Sequence, residues 1–380
     1  MDAPRLTLVH DWLTGMRGGE KCLEPVCRQF SQSRLYTLIH AKGRVSSAIE
    51  ALHPRTSFLQ RLPNVHRYYR NLLPLMPAAV QSLRLPPSDL VLSFSHCVAK
   101  SVQPPAAVPH LCYCFTPMRY AWHMRESYFG RGRLGRVKRA AADLFLEKLR
   151  DWDQATASRV THFVAISRTV HNRIRECYGR DSEIIYPPVD TDFYTPAEIP
   201  REDFYLCVSA FAPYKRLDLA VQACRRLRRR LIIIGSGQDE AQLKAIAAPD
   251  VTYLGWQSDE VIRDFYRRCR ALLFPGEEDF GIVPVEAMAC GTPVIAYGKG
   301  GAAETIRGLD APQPTGLFFG EQSAECLAEA IERFERAREM FDPAAARRQA
   351  LRFRRQRYEQ ELFGLIDAIW RGGKTTPLAA

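Results

Sequence analysis

Two glutamates, Glu278 and Glu286, stand with seven residues between them on either side of Phe280-Gly281-Ile282. Gly281 is placed to open a helix, whose first N–H groups lack partners within the helix and can cradle a phosphate or a hydroxyl. Glu278 then falls in the loop before that helix and Glu286 in its second turn. Carboxylates so placed can accept hydrogen bonds from two different hydroxylated parts of one ligand. The bland alternative is a pair of solvated glutamates flanking a helix. The exit Gly291-Thr292-Pro293-Val294 completes a longer string and favours the functional reading. Three further segments follow apolar runs in the same half: Ser209–Arg216 with Lys215 and Arg216, the turn Gly235-Ser236-Gly237, and Leu254-Gly255-Trp256. Lys215-Arg216 reads either as a ligand contact or as a solvated helix start. A lone Gly-x-Gly is a weak signal of close backbone approach to a ligand. Trp256 reads equally as the wall of a ligand pocket or as a core anchor.

These residues need a scaffold that presents loops side by side. In the second half, apolar runs at Phe204–Val208, Leu231–Ile234, Val251–Leu254, Ala271–Phe274 and Pro293–Ala296 alternate with helical patterns at Leu217–Leu227, Glu240–Ala247, Asp259–Cys269 and Ile282–Ala289. That alternation predicts βαβ units and a parallel sheet, and the continuity of the runs predicts helices on both faces. The first half repeats the theme with strands at Leu6–Val9, Asp89–Phe94, His110–Cys114 and His162–Ile166, ending near Glu183–Tyr186 at Pro187-Pro188. Residues 53–88 and 125–160 read as longer, basic, helical-looking insertions. Prolines 187, 188, 196 and 200 mark a linker. The expected fold class is α/β, with doubly wound domains at 1–190 and 191–350 and a C-terminal helix and tail at 351–380. Ligands in such sheets sit outside the carboxyl ends of the strands.

Composition narrows the function classes. Apolar residues make up 46 % and charged residues 25 %, which excludes a disordered or membrane-embedded chain. The start Met1–Val9 does not read as a secretory leader, so the chain is expected to begin where its sequence begins, in the cytoplasm. Eleven cysteines, several inside apolar runs, read as buried thiols of a reduced compartment. The net charge is +11, with nine lysines and 44 arginines, which makes phosphate groups expected partners. Nucleic acid, an anionic membrane and a nucleotide-phosphate substrate all satisfy charge alone.

The string Glu278–Ala296 resembles the signature of retaining glycosyltransferases of family 4, glycosyl transferases group 1, and the resemblance extends over essentially the whole chain. It implies a GT-B architecture: two Rossmann-like domains facing a deep cleft, with a C-terminal helix packing back on the N-terminal domain. It implies an enzyme that moves a hexose from a nucleotide-diphosphate donor, with retention and without a metal or resident cofactor. By motif, Glu278 and Glu286 match the residues that bind the sugar hydroxyls and the ribose. Lys215 matches the lysine that grips the donor diphosphate. The partner arginine of that clamp is replaced by Ala210, and Arg216 is the nearest substitute. Donor contacts are further implied at Gly18, Gly19, Gly235, Gly237, Trp256, Phe280, Gly281 and Ile282. Glu20, which starts the next helix, fits simple complementation of the helix dipole. Tyr113–Trp122 is also family-like and places Phe115 and Arg119 on the acceptor and sugar side, with Phe115 where relatives commonly carry His. His110 and His123 are out of register and read as structural. With His10-Asp11-Trp12 this segment is similar to the mannosyltransferase-like branch, which implies GDP-mannose and a lipid-linked saccharide acceptor.

Residues 125–150 carry eight cations against three acids, interspersed with Tyr128, Phe129 and Leu134. The segment suits peripheral contact with an anionic membrane, on the inner face of the cell membrane, or an ordinary solvated helix. Two rival functions stand beside the transferase: a GT-B epimerase or phosphorylase, and a non-specific nucleic-acid binder resting on charge alone. No basic-aromatic recognition module supports specific nucleic-acid binding.

Overall fold

The computed structural model describes residues 3–119, 121–122, 136–246 and 249–374. Two compact units emerge, Met1–Tyr186 with Tyr358–Ala380, and Pro187–Arg357. Each is built on a parallel sheet, so α/β is the observed class.

In the first unit the strands are β1 (Leu6–His10), β2 (Arg34–Thr37), β3 (Arg55–Thr56), β4 (Leu90–Ser95), β5 (His110–Cys114), β6 (His162–Ala165) and β7 (Glu183–Ile184). Their order is β3-β2-β1-β4-β5-β6-β7, all parallel, and the order reverses between β1 and β4. β1, β4 and β5 are buried along their whole length, as strands covered on both faces must be. β2 and β3 escape the sequence reading because they are short and begin with an exposed arginine.

Residues 53–88 differ from the helical expectation. Only Met76–Gln81 is α-helical; β3 and three 3₁₀ segments, Phe58–Arg61, Val65–Arg67 and Tyr69–Leu75, make up the other regular structure. Pro63, Pro74 and Pro77 interrupt the segment, since proline donates no hydrogen bond and clashes with the preceding turn. Of 125–150, residues 125–135 lie outside the described residues, as does His123. The helix Arg136–Thr156 that follows is pinned by a buried ion pair, Lys100 Nζ to Asp153 Oδ1 at 2.9 Å. The other Asp153 oxygen accepts from Trp122 Nε1 and Tyr178 Oη at 2.9 and 2.8 Å, so the buried carboxylate is fully engaged.

The C-terminal helix is Arg355–Lys374, within the helix and tail expected at 351–380. From Tyr358 onward it belongs to the first unit. Tyr358, Leu362 and Ile366 form its buried stripe, and Tyr358 Oη donates to the Cys22 carbonyl at 2.8 Å.

The second unit has β8 (Tyr205–Val208), β9 (Leu231–Ile234), β10 (Val251–Gly255), β11 (Leu272–Phe274), β12 (Val294–Tyr297) and β13 (Gly316–Phe319) in the order β10-β9-β8-β11-β12-β13. Here the order reverses between β8 and β11. All eleven cysteines are free thiols and ten are buried, in line with their apolar sequence context. No helix among the described residues is long and apolar enough to cross a membrane.

At the reversal in the first unit, Asp11 follows β1 and is fully buried. Its Oδ2 accepts from the His96 and Cys97 N–H groups (2.7 and 2.9 Å), and its Oδ1 from Val98 and Ala99 (2.7 and 2.8 Å). One carboxylate thus satisfies the whole turn after β4 and ties the carboxyl ends of two neighbouring strands. Asp11→Ala leaves four buried N–H groups without an acceptor. It is expected to destabilise the first unit by more than about 3 kcal/mol, given ~1–3 kcal/mol per orphaned group. Urea unfolding measures this, and a loss below about 1 kcal/mol would remove Asp11 from that role.

Candidate functional site

The loops at the carboxyl ends of β8, β9, β11 and β12 form the candidate site of the second unit. The loop after β8 is zipped to the turn after β9. Phe211 N–H donates to the Ser236 carbonyl at 2.9 Å, and Ser209 N–H to Ile234 at 3.0 Å. Gly235 has φ +138°, and a methyl on it would collide with the Ser209 carbonyl. Gly237 lies equally close to the Phe211 backbone. The close approach expected of these glycines is therefore made to their own unit's backbone.

On the other side of the reversal, the Gly301 N–H donates to the Glu278 carbonyl at 2.8 Å. A side chain at Gly301 would strike Phe280. Gly276, after β11, packs against the backbone of Tyr214 and Lys215. This meshing brings Lys215 Nζ to 2.5 Å from Glu278 Oε1, with the two side chains 13 % and 20 % exposed. The ammonium also lies over the Tyr214 ring, 5.2 Å from its centroid. An ammonium has three donors, so one carboxylate contact leaves donors for a phosphate oxygen.

The helix Ile282–Ala289 begins as expected after Gly281, which is left-handed at φ +82°. Its N-cap residue is a glycine, so no N-cap side chain accepts from the first-turn N–H groups. Glu286 lies in the second turn, 6 % exposed, and its Oε2 accepts from Tyr266 Oη at 3.3 Å. Ile282 is half-buried at the helix start.

Three side-chain placements in this unit bear on the expected donor contacts. Arg216 is left-handed at φ +51°, and its guanidinium is held by the Asp218 carboxylate through two contacts of 3.1 Å, so its charge is committed locally. Phe280 is 3 % exposed and packs its ring on Phe353 at 5.5 Å, which leaves its backbone rather than its ring for a ligand. Trp256 is 77 % exposed and so is no core anchor, because the edge strand β10 leaves its end uncovered.

The first unit gathers its singled-out residues at the carboxyl ends of β1, β4 and β5. Gly18 opens the helix Gly18–Gln29, and Gly19 lies against His10 and Phe115; a Cβ there would come within 3.1 Å of His10 Nε2. Phe115 is buried in a ring cluster with His10, Phe94, His96 and Tyr113. Arg119 is half-buried beyond it. His110 is structural: Nε2 meets Ser93 Oγ at 2.7 Å, and burial lowers its pKa to about 4. Among the described residues, no group of three His, Cys, Asp or Glu side chains is arranged to hold a metal.

Sequence reasoning gave His10 no role beyond its place in the His10-Asp11-Trp12 resemblance, and it undervalued Glu20. His10 is fully buried, its Nδ1 faces the Trp12 carbonyl at 2.9 Å, and burial lowers its pKa to about 4. Nδ1 must therefore carry the hydrogen, leaving Nε2 as a bare acceptor. Glu20 is 4 % exposed and accepts from the Arg17 N–H at 3.1 Å. Burial raises its pKa to about 7, against the pull of backbone N–H groups and Arg17. The stretch Thr14-Gly15-Met16-Arg17 before the helix gives no sign that the helix's first acid will be enclosed.

Two parallel, doubly wound α/β units with these strand orders define the GT-B class of fold. Over the full chain the structure is similar to HepE of Anabaena in complex with UDP (TM-score 0.69, 16 % identity, covering 96 % of this chain and 100 % of that one). It is also similar to sucrose-phosphate synthase from Thermosynechococcus elongatus (TM-score 0.70, 15 % identity, covering 97 % and 100 %). Residues 191–350, in the second unit, match the family model Glycosyl transferases group 1.

Among curated relatives, the D-inositol 3-phosphate glycosyltransferase of Mycobacteroides abscessus is 35 % identical over 171 residues, covering 39 % of this chain and 38 % of that protein. The GDP-mannose-dependent alpha-(1-6)-phosphatidylinositol monomannoside mannosyltransferase of Mycobacterium tuberculosis is 28 % identical over 197 residues, covering 44 % and 50 %. The chain spans half or less of the length of these curated relatives.

Glu20 generates a pH prediction. Its folded pKa is raised from 4.5 to about 7, so its stabilising contribution is complete below pH 4.5 and is lost as pH rises toward 7. Glu20→Gln keeps an acceptor for the Arg17 N–H and carries no charge. Relative to wild type, the variant is expected to gain thermal stability progressively across that window. The gain approaches about 3 kcal/mol at the alkaline end, at about 1.4 kcal/mol per pKa unit. Comparing the two proteins cancels the contribution of His10. Parallel midpoint-against-pH curves would show that the wild-type carboxylate ionises freely.

Proposed function

We propose that the chain is a glycosyltransferase that moves a sugar from a nucleotide-diphosphate donor to an acceptor hydroxyl. The observation that carries this reading is the Lys215–Glu278 pair beside the glycine-led start of the helix Ile282–Ala289, at the strand-order reversal of the second sheet. In open parallel sheets that position is where ligands bind. A diphosphate there would meet the N–H donors of the helix start and an ammonium held beside them by Glu278. As the bond between the sugar and the diphosphate breaks, negative charge grows on the leaving oxygen, and Lys215 offsets it. Glu278 accepts from sugar hydroxyls, and Glu286, steadied by Tyr266, accepts from the ribose. Transfer proceeds with retention and needs no metal in this reading. Arg216, committed to Asp218, is a reserve cation only if that pair opens.

GDP-mannose is the proposed donor, supported by the named donor of the Mycobacterium tuberculosis relative. HepE is in complex with UDP, so uridine donors belong in the same screen. The acceptor is a lipid-linked saccharide, and the protein works in peripheral contact with the cytoplasmic face of the cell membrane.

Lys215 and Glu286 touch different parts of one ligand and should fail differently. Lys215→Ala is expected to lower turnover by roughly 10²–10³, the cost of one stabiliser of developing charge. Ala210 supplies no compensating arginine, which favours the upper end. Glu286→Ala removes contacts made before and during transfer, so nucleotide affinity falls together with rate. Calorimetry with GDP, UDP and ADP, and turnover with each cognate sugar, separate the two. Near-normal turnover in folded Lys215→Ala would sink the assignment.

A further inference from the structure

Residues 51–88 hold five arginines and two histidines and not a single carboxylate, in a chain with 42 acidic residues. Arg55, Arg61, Arg67, Arg70 and Arg84 are all exposed, and none of them makes an ion pair among the described residues. The same stretch exposes Phe58 (43 %), Leu62 (38 %), Tyr68 (36 %) and Leu75 (45 %). These are four of the eight large hydrophobic side chains exposed among the described residues, within eighteen consecutive positions. Their exposure does not come from a missing core. Leu59, Val65, Tyr69, Leu73 and Met76, interleaved with them, are buried in the hydrophobic cluster beneath. The backbone is held in place as well: Ser57 Oγ caps the first turn by accepting from Leu59 N–H at 3.2 Å, and Tyr68 Oη donates to the Pro63 carbonyl at 2.9 Å. A fixed surface therefore presents apolar tips among guanidinium groups that have no acidic partner among the described residues.

We infer that residues 55–84 dock the protein on an anionic lipid surface, with Phe58, Leu62 and Leu75 entering the boundary between headgroups and acyl chains and the arginines meeting lipid phosphates. Each half of the chemistry points to this occupant. Guanidinium groups without acids complement a negative surface, and each cation near such a surface is worth about fivefold in affinity. Clustered apolar tips gain only where there is an apolar phase to enter. A nucleic acid would use the charge and leave Phe58, Leu62 and Leu75 in water. These residues are distinct in sequence from 125–150, which sequence analysis reads either as a membrane contact or as an ordinary solvated helix. The inference does not rest on the transferase reading, because its test needs no turnover.

The test is co-sedimentation of the full chain with vesicles of phosphatidylcholine, with and without phosphatidylglycerol. Wild type is expected to sediment with the mixed vesicles and to stay in solution with phosphatidylcholine alone. Combined Arg61→Glu, Arg67→Glu and Arg84→Glu should lower the affinity by about 100-fold or more, at about fivefold per cation removed. Combined Phe58→Ser, Leu62→Ser and Leu75→Ser should lower it by at least about tenfold through lost apolar burial, and should make the residual binding release fully in salt. All six positions are exposed, and unchanged thermal unfolding verifies the fold of each variant. Four results would overturn the assignment: no binding by wild type, normal binding by the arginine variant, normal binding by the serine variant, or loss of binding only when Arg133, Arg136 and Arg139 are reversed. Single-stranded RNA that displaces the vesicles and binds the serine variant as well as wild type would mark the surface as a charge patch for nucleic acid.

Discussion

Close contact between backbones is the constraint on which the second unit depends. Four loops emerge from the same end of one parallel sheet, and strands in a sheet are only about 4.8 Å apart. Loops that near each other either diverge or mesh. Here they mesh, because Gly235 and Gly301 leave room for the Ser209 carbonyl and the Phe280 backbone. The N–H of Gly301 then fixes Glu278, and the packing of Gly276 fixes Lys215. The ion pair between them is a consequence of this packing. Two side chains on different loops reach 2.5 Å only because their backbones have been brought into register first.

The first unit solves the same problem by other means. Its neighbouring strand ends are joined by the Asp11 carboxylate, which accepts four N–H groups from the turn after β4. Burial raises the pKa of this carboxylate, and the four donors act against that rise. The turn so fixed carries His96, which with His10 and Phe94 packs around Phe115. Glycine again makes the final closure, since Gly19 leaves room for the His10 and Phe115 rings. Both units therefore place rigid, enclosed groups at the carboxyl ends of their central strands, where βα loops are free to carry function.

The sequence made the sheets legible where burial is continuous. Leu231–Ile234 reads as a strand because every side chain is apolar, and every one is buried. Lys215, Glu278 and Glu286 were legible because their positions rest on a motif that includes its own turns. Legibility fails where side chains choose among partners that are far apart in sequence or equally close. Arg216 is one residue from Lys215, yet the left-handed turn at that position swings it to Asp218. Phe280 sits in the motif, yet its ring finds Phe353 from the far end of the unit. Asp11 and Glu20 look like ordinary surface acids until the fold encloses them. Residues 53–88 read as helical-looking, yet Pro63 and Pro74 keep the stretch before the helix Met76–Gln81 in short 3₁₀ segments.

The Lys215–Glu278 pair also shows why geometry and stability should be weighed apart. Partly exposed ion pairs contribute little to folding, typically about 0–1 kcal/mol. A pair retained for stability alone would be a poor use of two loops that already pack through glycine backbone contacts. Its value lies in orientation. A free lysine explores many rotamers, and immobilising such a side chain costs about 0.5–1.5 kcal/mol whenever a ligand must do it. Glu278 bears that cost before any ligand arrives, and it takes only one of the three ammonium donors. A diphosphate brings more negative charge than one carboxylate and meets the same ammonium without reorganising it. The carboxylate also stays beside the ammonium, so a ligand with phosphate on one side and hydroxyls on the other satisfies both residues at once. A bare phosphate satisfies only the lysine. The pair therefore selects for ligands that join the two chemistries within a few ångströms.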